Sequence, residues 1–213
     1  MNLKKIIADF PLVALFVIMS YFVLDEKIAF FVRRMWMASA PLLLFSADLP
    51  DVLFLLVCLT TAIAWIVFLY LVRKGIHNTH ARFFQLIAIS VPLANMLKAI
   101  LKYAFGRTTT RFWLQHPHAT EFHWFHGVGN YSGFPSGHMA VFTVLAAALW
   151  MYYPRHKTGY IVFMTILALA LIATNYHFIS DIIAGVYTGL FVHSATDYFL
   201  TSQRRSRKEQ DTI

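Results

Sequence analysis

The sequence predicts an all-α, polytopic membrane protein built as a bundle of six transmembrane helices. Hydrophobic residues make up 59% of the chain and charged residues only 13%, whereas soluble domains carry about 25% charged residues. Apolar runs of the length needed to cross a bilayer, about 20 residues, recur along the chain. Basic residues lie mainly between these runs, so the net charge of +8 indicates orientation in a membrane and not a nucleic-acid partner.

The predicted helices are residues 10–24, 52–72, 83–104, 137–153, 159–175 and 181–200. The first follows two lysines and also has features of a signal peptide, but charged residues come directly after it with no small-x-small cleavage site. We therefore expect it to be retained. Residues 28–47 are apolar and aromatic but contain two arginines, so they could form a helix along the membrane interface.

Lysine and arginine orient the bundle, because cytoplasmic loops are enriched in them. With the N-terminus in the cytoplasm, the cytoplasmic segments hold most of the 18 basic residues: Lys4, Lys5, Arg73, Lys74, Arg82, Arg155, Lys157, Arg204, Arg205, Arg207 and Lys208. Residues 1–213 then form a single domain with a polar cytoplasmic tail at 203–213. The loops at 105–136 and 176–180 face outward, which in a bacterial inner membrane is the periplasm.

Pro135-Ser136-Gly137-His138 opens the fourth predicted helix and has the features of an anion site. A serine can cap a helix start, and a glycine lets the backbone approach a ligand closely. The unpaired N–H groups at the positive end of the helix attract anions, and a histidine beside them can donate a proton. Taken alone, the segment fits an ordinary capped helix with an interfacial histidine equally well.

His177 and Asp181 open the last predicted helix with an i,i+4 spacing, which places them on one helical face. A carboxylate that binds one imidazole nitrogen fixes the tautomer and leaves the other nitrogen as a base, nucleophile or ligand. A polar pair at the membrane interface is the alternative. Ionisable groups in membrane segments are rare and usually functional, which favours the first interpretation.

Lys102 and Arg107 lie at the outer end of the third predicted helix, and Lys98 lies one turn before Lys102 without an assigned role. The first two could stabilise a phosphoryl group, or they could be cations that merely extend toward the interface. By the topology above, they face the same side as His138 and His177. Short-looped helix bundles can bring such helix ends together.

Together these residues resemble the type 2 phosphatidic-acid phosphatase superfamily, the membrane branch of the acid phosphatase and vanadium haloperoxidase group. The family pattern is Lys-x6-Arg-Pro, then Pro-Ser-Gly-His, then Ser-Arg-x5-His-x3-Asp. Lys102 begins the first part, Pro135–His138 match the second in full, and His177 and Asp181 match the third. The resemblance covers roughly residues 102–185, and the six-helix layout extends it to most of the chain.

Two positions depart from that pattern, because Thr109 and Leu171 stand where the family has arginines. Arg107, or else Arg111, could take over the missing phosphate contacts. Loss of one donor to a developing negative charge typically costs about 10²–10³ in rate. The departures therefore bear on catalytic efficiency and on the choice of substrate.

The resemblance implies an integral-membrane lipid phosphatase that needs neither a metal nor another cofactor. His177 would attack phosphorus to form a phosphohistidine, Asp181 would orient its imidazole, and His138 would protonate the leaving oxygen and later activate water. The phosphoryl oxygens would be held by Lys102, Arg107, Ser136 and the Gly137 N–H, with Arg111 as a further candidate. The expected substrate is a lipid phosphate monoester or diphosphate, of the undecaprenyl diphosphate, phosphatidylglycerol phosphate or lipid A type.

Two other functions stay open. A degenerate, non-catalytic lipid-phosphate-binding or transport protein would explain the missing arginines, although the repeated halves typical of transporters are absent from the sequence. A zinc site at His138, His177, Asp181 and a histidine of the outer loop is the second alternative, but no strong motif such as His-Glu-x-x-His accompanies it. The single cysteine, Cys58, excludes a Cys-based zinc site and an intrachain disulfide.

Overall fold

A computed structural model describes residues 2–37, 49–76, 78–116 and 121–210. This part of the chain is helical and has no strand, which confirms the predicted all-α class; an isolated bridge joins Arg107 to Phe122. We number its α-helices in chain order: α1 Leu3–Ala8, α2 Phe10–Ser20, α3 Glu26–Met37, α4 Leu49–Arg73, α5 Thr79–Phe105, α6 Thr110–Gln115, α7 Gly137–Tyr152, α8 Lys157–Ala173 and α9 Ile179–Gln210.

The N-terminal segment is almost continuously helical. A π-helical turn, Tyr21–Asp25, joins α2 directly to α3, and turns of this kind are rare and often lie at functional sites. The Tyr187 hydroxyl of α9 donates a hydrogen bond to the backbone oxygen of Ile6 at 2.9 Å, which fixes α1 on α9. Asp25 ends the π-helical turn and is 3% exposed, so this segment carries a carboxylate into the protein interior.

Helix α9 lies at the centre of the bundle and contacts α7, α5 and α2. A Cβ atom added to Gly185 would lie 2.5 Å from the backbone oxygen of Ser136, and one added to Gly189 would lie 2.3 Å from that of Ala140. Small residues at a helix contact let the two backbones approach closely. The start of α7 is therefore held directly against the first turns of α9.

Two apolar clusters lie beneath the ends of these helices. The larger joins α4, α5, α7 and α9 and includes Val57, Leu86, Val91, Val144 and Val192. The smaller joins α7, α8 and α9 through Met139, Leu167, Leu171 and Ile182. Because Met139 and Ile182 directly follow His138 and Asp181 in sequence, the polar residues at this end rest on a packed core.

Three helices of the described residues are long and apolar enough to cross a membrane: Leu55–Arg73, Thr79–Phe105 and Pro154–Ala173. They correspond to three of the predicted spans, at 52–72, 83–104 and 159–175. Large apolar side chains on the outer surface, such as Phe16, Ile66 and Ile161, are more than half exposed. An apolar surface of this kind is compatible with an integral membrane protein.

The other predicted segments are also helical. Residues 10–24 cover α2 and most of the π-helical turn, 137–153 correspond to α7, and 181–200 lie within α9, which continues through much of the predicted tail. Helix α3 covers the beginning of the predicted interfacial helix at 28–47, whereas residues 38–47 lie outside the described residues. The number of spans and the side that the site faces stay predictions.

Candidate active site

The connection that follows α5 folds back over the end of that helix. Gly106 ends α5 with a φ of 54°, and a Cβ atom there would lie 1.8 Å from the backbone oxygen of His123, so the position requires glycine. The N–H of His123 donates to the Gly106 oxygen at 2.9 Å, and the N–H of Thr108 donates to the Glu121 oxygen at 2.8 Å. This backbone pairing fixes the position of Arg107, which lies between the paired residues.

Ser136 forms the N-cap of α7 and is completely buried. Its hydroxyl accepts a hydrogen bond from the N–H of Met139 at 3.4 Å, and it follows a cis Phe134–Pro135 peptide. Its own N–H donates to the backbone oxygen of Asp181 at 3.0 Å. The predicted anion site is thus a capped helix N-terminus attached to the start of α9. We call residues 135–138 the cradle.

The structure brings His138 and His177 together, although they belong to different parts of the family pattern. Their ring centroids lie 6.4 Å apart. The Tyr176 ring contacts both imidazoles, at 5.6 Å from His138 and 5.2 Å from His177. The two histidines that the sequence analysis selects therefore stand on one small surface at the ends of α7 and α9.

Asp181 lies behind His177 and is held by three groups. Its Oδ2 atom lies 3.5 Å from Nδ1 of His177 and accepts a hydrogen bond from the N–H of Phe178 at 3.0 Å. Its Oδ1 atom accepts from Nη1 of Arg107 at 2.7 Å. The 3.5 Å distance is long for a hydrogen bond, and catalytic hydrogen bonds are often long before substrate binds.

Burial lowers the pKa of the His177 imidazole below its ordinary value, and the nearby Asp181 carboxylate only partly opposes this effect. His177 is therefore neutral at pH 7. A neutral imidazole that holds its proton on Nδ1, beside the carboxylate, has Nε2 available as a nucleophile or base.

Arg107 is enclosed by carboxylates and aromatic rings and is 1% exposed. Its Nη1 donates to the hydroxyl of Ser180 at 2.6 Å as well as to Asp181, and its Nη2 donates to Oδ2 of Asp25 at 2.9 Å. The rings of Tyr21, Phe122 and Phe178 cover the guanidinium at 4.3–5.6 Å.

The surroundings of Arg107 favour its charged form but leave it little access to a ligand. Burial opposes the charge, yet Asp181, Asp25 and Glu121 together hold the pKa of the guanidinium above its ordinary value. Both Nη atoms already bind carboxylates, and the guanidinium is almost fully enclosed, so little of it faces open space. The direct phosphate contact of Arg107 stays a prediction, and the structure shows it as the partner of Asp181.

Two lysines of α5 reach the start of α7. Lys102 Nζ donates a hydrogen bond to the backbone oxygen of Ser132 at 2.5 Å, in the segment that leads into the cradle. Lys98 Nζ lies 3.2 Å from the position that a Cβ atom of Gly137 would occupy. The sequence analysis selects Lys102 but gives Lys98 no role, and the structure places Lys98 against the predicted phosphate-binding glycine.

Arg111 lies at the edge of the same surface. Its Nε and Nη2 atoms donate to the backbone oxygen of Thr174 at 3.2 and 3.1 Å, and its guanidinium lies 5.3 Å from the centroid of the Tyr176 ring. Leu171, at one position of the missing arginines, is 2% exposed in the apolar core. Thr109, at the other, is the N-cap of α6. Arg111 therefore contacts Tyr176, the residue whose ring touches both histidines, and its phosphate contact stays a prediction.

A family model described as the PAP2 superfamily matches residues 83–205, more than half of the chain, and this match includes the cradle, Lys102, His177 and Asp181. The chain belongs to the PAP2 superfamily. Neither a curated protein nor a solved structure matches it significantly. Membership confirms the resemblance seen in the sequence and indicates a phosphatase, that is, a phosphoester hydrolase.

Sequence reasoning gave no role to three residues that the structure places at this site: Asp25, Ser180 and Lys98. Asp25 lies outside the matched residues 83–205, and the signal that could have revealed it is a carboxylate that directly follows an apolar helix. Within the described part of the chain, no group of three or more His, Cys, Asp and Glu side chains is arranged to hold a metal ion. The zinc alternative therefore lacks a ligand set in that part.

Proposed function

We propose that this PAP2 superfamily member is an integral-membrane lipid phosphatase that acts through a phosphohistidine on His177. The observation that carries the proposal is the 6.4 Å separation of the His138 and His177 rings, with Asp181 beside His177 and a helix N-terminus at His138. In this proposal the phosphoryl group lies on the surface that the two rings share, with His177 on the side of phosphorus opposite the leaving oxygen and His138 beside that oxygen.

The reaction has two steps. His177 Nε2 attacks phosphorus, an N–P bond forms, and the bond from phosphorus to the lipid oxygen breaks while His138 donates its proton to that oxygen. Water then attacks the phosphohistidine, His138 accepts the proton, the N–P bond breaks, and inorganic phosphate leaves. Asp181 stabilises the positive imidazole in both steps. Residues that position the phosphoryl group and stabilise its charge supply most of the catalysis in such transfers.

The phosphoryl oxygens would be held by donors that converge on the cradle. The Ser136 hydroxyl and the Gly137 N–H lie at the start of α7, where the helix dipole favours an anion. Lys102 and Lys98 supply positive charge from α5, and Arg111 supplies a guanidinium from the edge of the site. In this proposal, Lys98 and Arg111 compensate for the two arginines that the family pattern lacks here, and Arg107 acts through Asp181.

An apolar cavity supports a lipid as the substrate. It has a volume of about 570 Å³ and lies among α2, α5 and α9, and its lining includes Val13, Ala14, Leu101, Phe134 and Pro135. Because Pro135 is the first residue of the cradle, the cavity reaches the cradle itself. We propose that it holds an apolar chain of the substrate while the phosphate lies on the cradle. The positions of the basic residues favour termini in the cytoplasm and a site that faces the periplasm of a bacterial inner membrane.

One observation favours a second candidate, a non-catalytic protein that binds lipid phosphates. Leu171 is built into the apolar core, so the arginine expected there has no substitute on the same helix turn. Such a protein would bind lipid phosphates without releasing phosphate, and this outcome separates it from an enzyme.

The test is phosphate release by purified protein from a panel of lipid phosphates and diphosphates in detergent. The wild type should release phosphate and form a phosphoenzyme that is labile in acid, and His177→Ala should do neither. His156→Ala is the matched control, because His156 is an exposed histidine far along the chain from the cradle. Wild-type activity in His177→Ala would refute the mechanism, and binding without release by the wild type would favour the second candidate.

A further inference from the structure

We propose that Asp25, from the N-terminal helical segment, is a positioning residue of this site. It holds Arg107 and the first turn of α9 so that Asp181 presents its carboxylate to His177. The inference rests on the proposed phosphatase function, and it adds a residue that lies outside the family match at 83–205.

Asp25 binds the start of α9 with both carboxylate oxygens. Oδ1 accepts a hydrogen bond from the N–H of Ser180 at 3.0 Å, and Oδ2 accepts from the Ser180 hydroxyl and from Nη2 of Arg107. N–H groups in the first turn of a helix have no partner within the helix. Asp25 therefore caps α9 from 155 residues away in the chain, at the residue directly before Asp181.

The guanidinium of Arg107 connects Asp25 to Asp181. A guanidinium presents its N–H groups in a rigid planar fork, so the bond of Nη2 to Asp25 fixes the direction in which Nη1 points to Asp181. With Oδ1 of Asp181 bound to Nη1, Oδ2 remains for His177. A carboxylate beside Nδ1 selects the tautomer in which Nε2 can attack. Asp25 thus affects the nucleophile without touching it.

Asp25 also affects His177 through charge, because Asp25 and Asp181 share the positive charge of Arg107. Arg107 lies between Asp25 and Asp181, and Glu121 is a third carboxylate at 3.8 Å. If Asp25 were neutral, Arg107 would neutralise Asp181 more completely, and Asp181 would attract the proton of His177 less. The other ionisable groups that face His177 are Lys102 and His138, and a substitution at Asp25 leaves both unchanged. Asp25 and His177 also line one small pocket.

The experiment compares Asp25→Asn with the wild type and with Glu26→Gln. Asparagine has nearly the shape of aspartate and keeps an oxygen for the Ser180 N–H, but it removes the charge. We expect kcat to fall about 10- to 100-fold, as when the outer partner of a metal-bound histidine is removed, and KM to change less than about threefold. Glu26 is exposed and is the next residue in the chain, so Glu26→Gln should behave as the wild type.

A measurement that needs no turnover tests the same link. Nitrogen-15 NMR of histidine-labelled protein, with His177→Ala used to assign the signals, reports which ring nitrogen of His177 carries the proton. The wild type should hold the proton on Nδ1, and Asp25→Asn should show a mixture of tautomers while its circular dichroism remains that of a folded protein.

A wild-type tautomer of His177 in Asp25→Asn would overturn the inference, whatever the value of kcat. If only the thermal midpoint falls, with kcat and the tautomer unchanged, Asp25 contributes only to folding. If the wild-type protein releases no phosphate from any lipid, the proposed function fails, and the NMR comparison still decides whether Asp25 controls His177.

Discussion

The backbone N–H of Ser136 donates a hydrogen bond to the backbone oxygen of Asp181 at 3.0 Å. Ser136, which caps the cradle helix, and Asp181, whose carboxylate lies beside His177, are therefore joined through the main chain. This bond persists only while α7 and α9 keep their separation, so the spacing of these two helices sets the position of the cradle relative to His177.

Gly185→Ala should disturb that spacing. The added Cβ atom would lie 2.5 Å from the backbone oxygen of Ser136 and 2.9 Å from Cβ of Met139, so the helices must move apart. We expect a loss of about 1–3 kcal/mol in the free energy of unfolding, as for other overpacked sites, and a fall in kcat of at least about tenfold because donors must be closely positioned. Thermal unfolding and phosphate release measure the two effects.

Gly159→Ala is the matched control for this prediction. Nothing lies within 4 Å of the Cβ position at Gly159, so alanine there should leave kcat unchanged and stabilise α8 by up to about 1 kcal/mol. Wild-type kcat in Gly185→Ala would show that the separation of α7 and α9 does not control the site.

The pH dependence should reflect the neutral form of His177. Burial lowers the pKa of His177 from its ordinary 6.5, and only the neutral imidazole can attack phosphorus. As pH falls, kcat/KM, which reports the free enzyme, should therefore remain high through 6.5 and decline only below it. An acidic midpoint at or above 6.5 would contradict this prediction.

The same shift links folding to pH. The unfolded chain binds a proton on His177 near pH 6.5, whereas the folded protein keeps this imidazole neutral to lower pH. The unfolded state thus binds more protons as pH falls below 6.5, and the stability contributed by the neutral histidine is progressively lost. Denaturant unfolding of the wild type and His177→Ala across pH 7 to 5 should show a steeper decline for the wild type.

Arg111→Ala should weaken phosphate handling. Loss of a charge-assisted donor at the edge of the site should lower kcat/KM about 10²-fold, and Arg111→Lys should recover only part of it because lysine lacks the planar fork. Arg155→Ala removes an exposed arginine next to α8 and serves as the control. Equal kcat/KM in Arg111→Ala and the control would exclude Arg111 from the phosphate site.

Ala14→Trp should act only on substrates with long chains. Ala14 lines the apolar cavity beside the cradle, and an indole there would fill part of it. We expect KM for a long-chain lipid phosphate to rise at least about tenfold, and kcat and KM for a water-soluble short-chain phosphate to remain near wild type. A uniform loss with both substrates would contradict a chain site in this cavity.

The helical architecture could be predicted from the sequence because each long apolar segment, once helical, forms its backbone hydrogen bonds within itself. The convergence of His138 and His177 was accessible because the family pattern fixes their order and their helix ends. Whether these residues catalyse the reaction stays a prediction that His177→Ala tests directly.

Contacts between charged residues that lie far apart in the chain could not be predicted from the sequence. Asp25 directly follows an apolar helix, a position that indicates the end of a membrane span. In the structure it accepts a hydrogen bond from Arg107, 82 residues later in the chain. Spacing alone also does not show which cations are enclosed by carboxylates, so the sequence analysis could not foresee the partners of Arg107 and gave Lys98 no role. The sequence shows that leucine replaces the family's arginine at position 171. Only the structure shows that Leu171 packs in the apolar core.

The bond between Asp25 and Arg107 has a consequence for biogenesis. Translation produces Asp25 before Arg107. The N-terminal helical segment of the nascent chain therefore carries a carboxylate whose counterion has not yet been synthesised. If the N-terminal helix spans the bilayer as predicted, this unpaired charge is costly there, and Asp25 stays at the aqueous boundary or binds a proton until the later helices arrive. The buried partners of Asp25 are therefore complete only when α9, the last helix to be made, packs against the N-terminal segment.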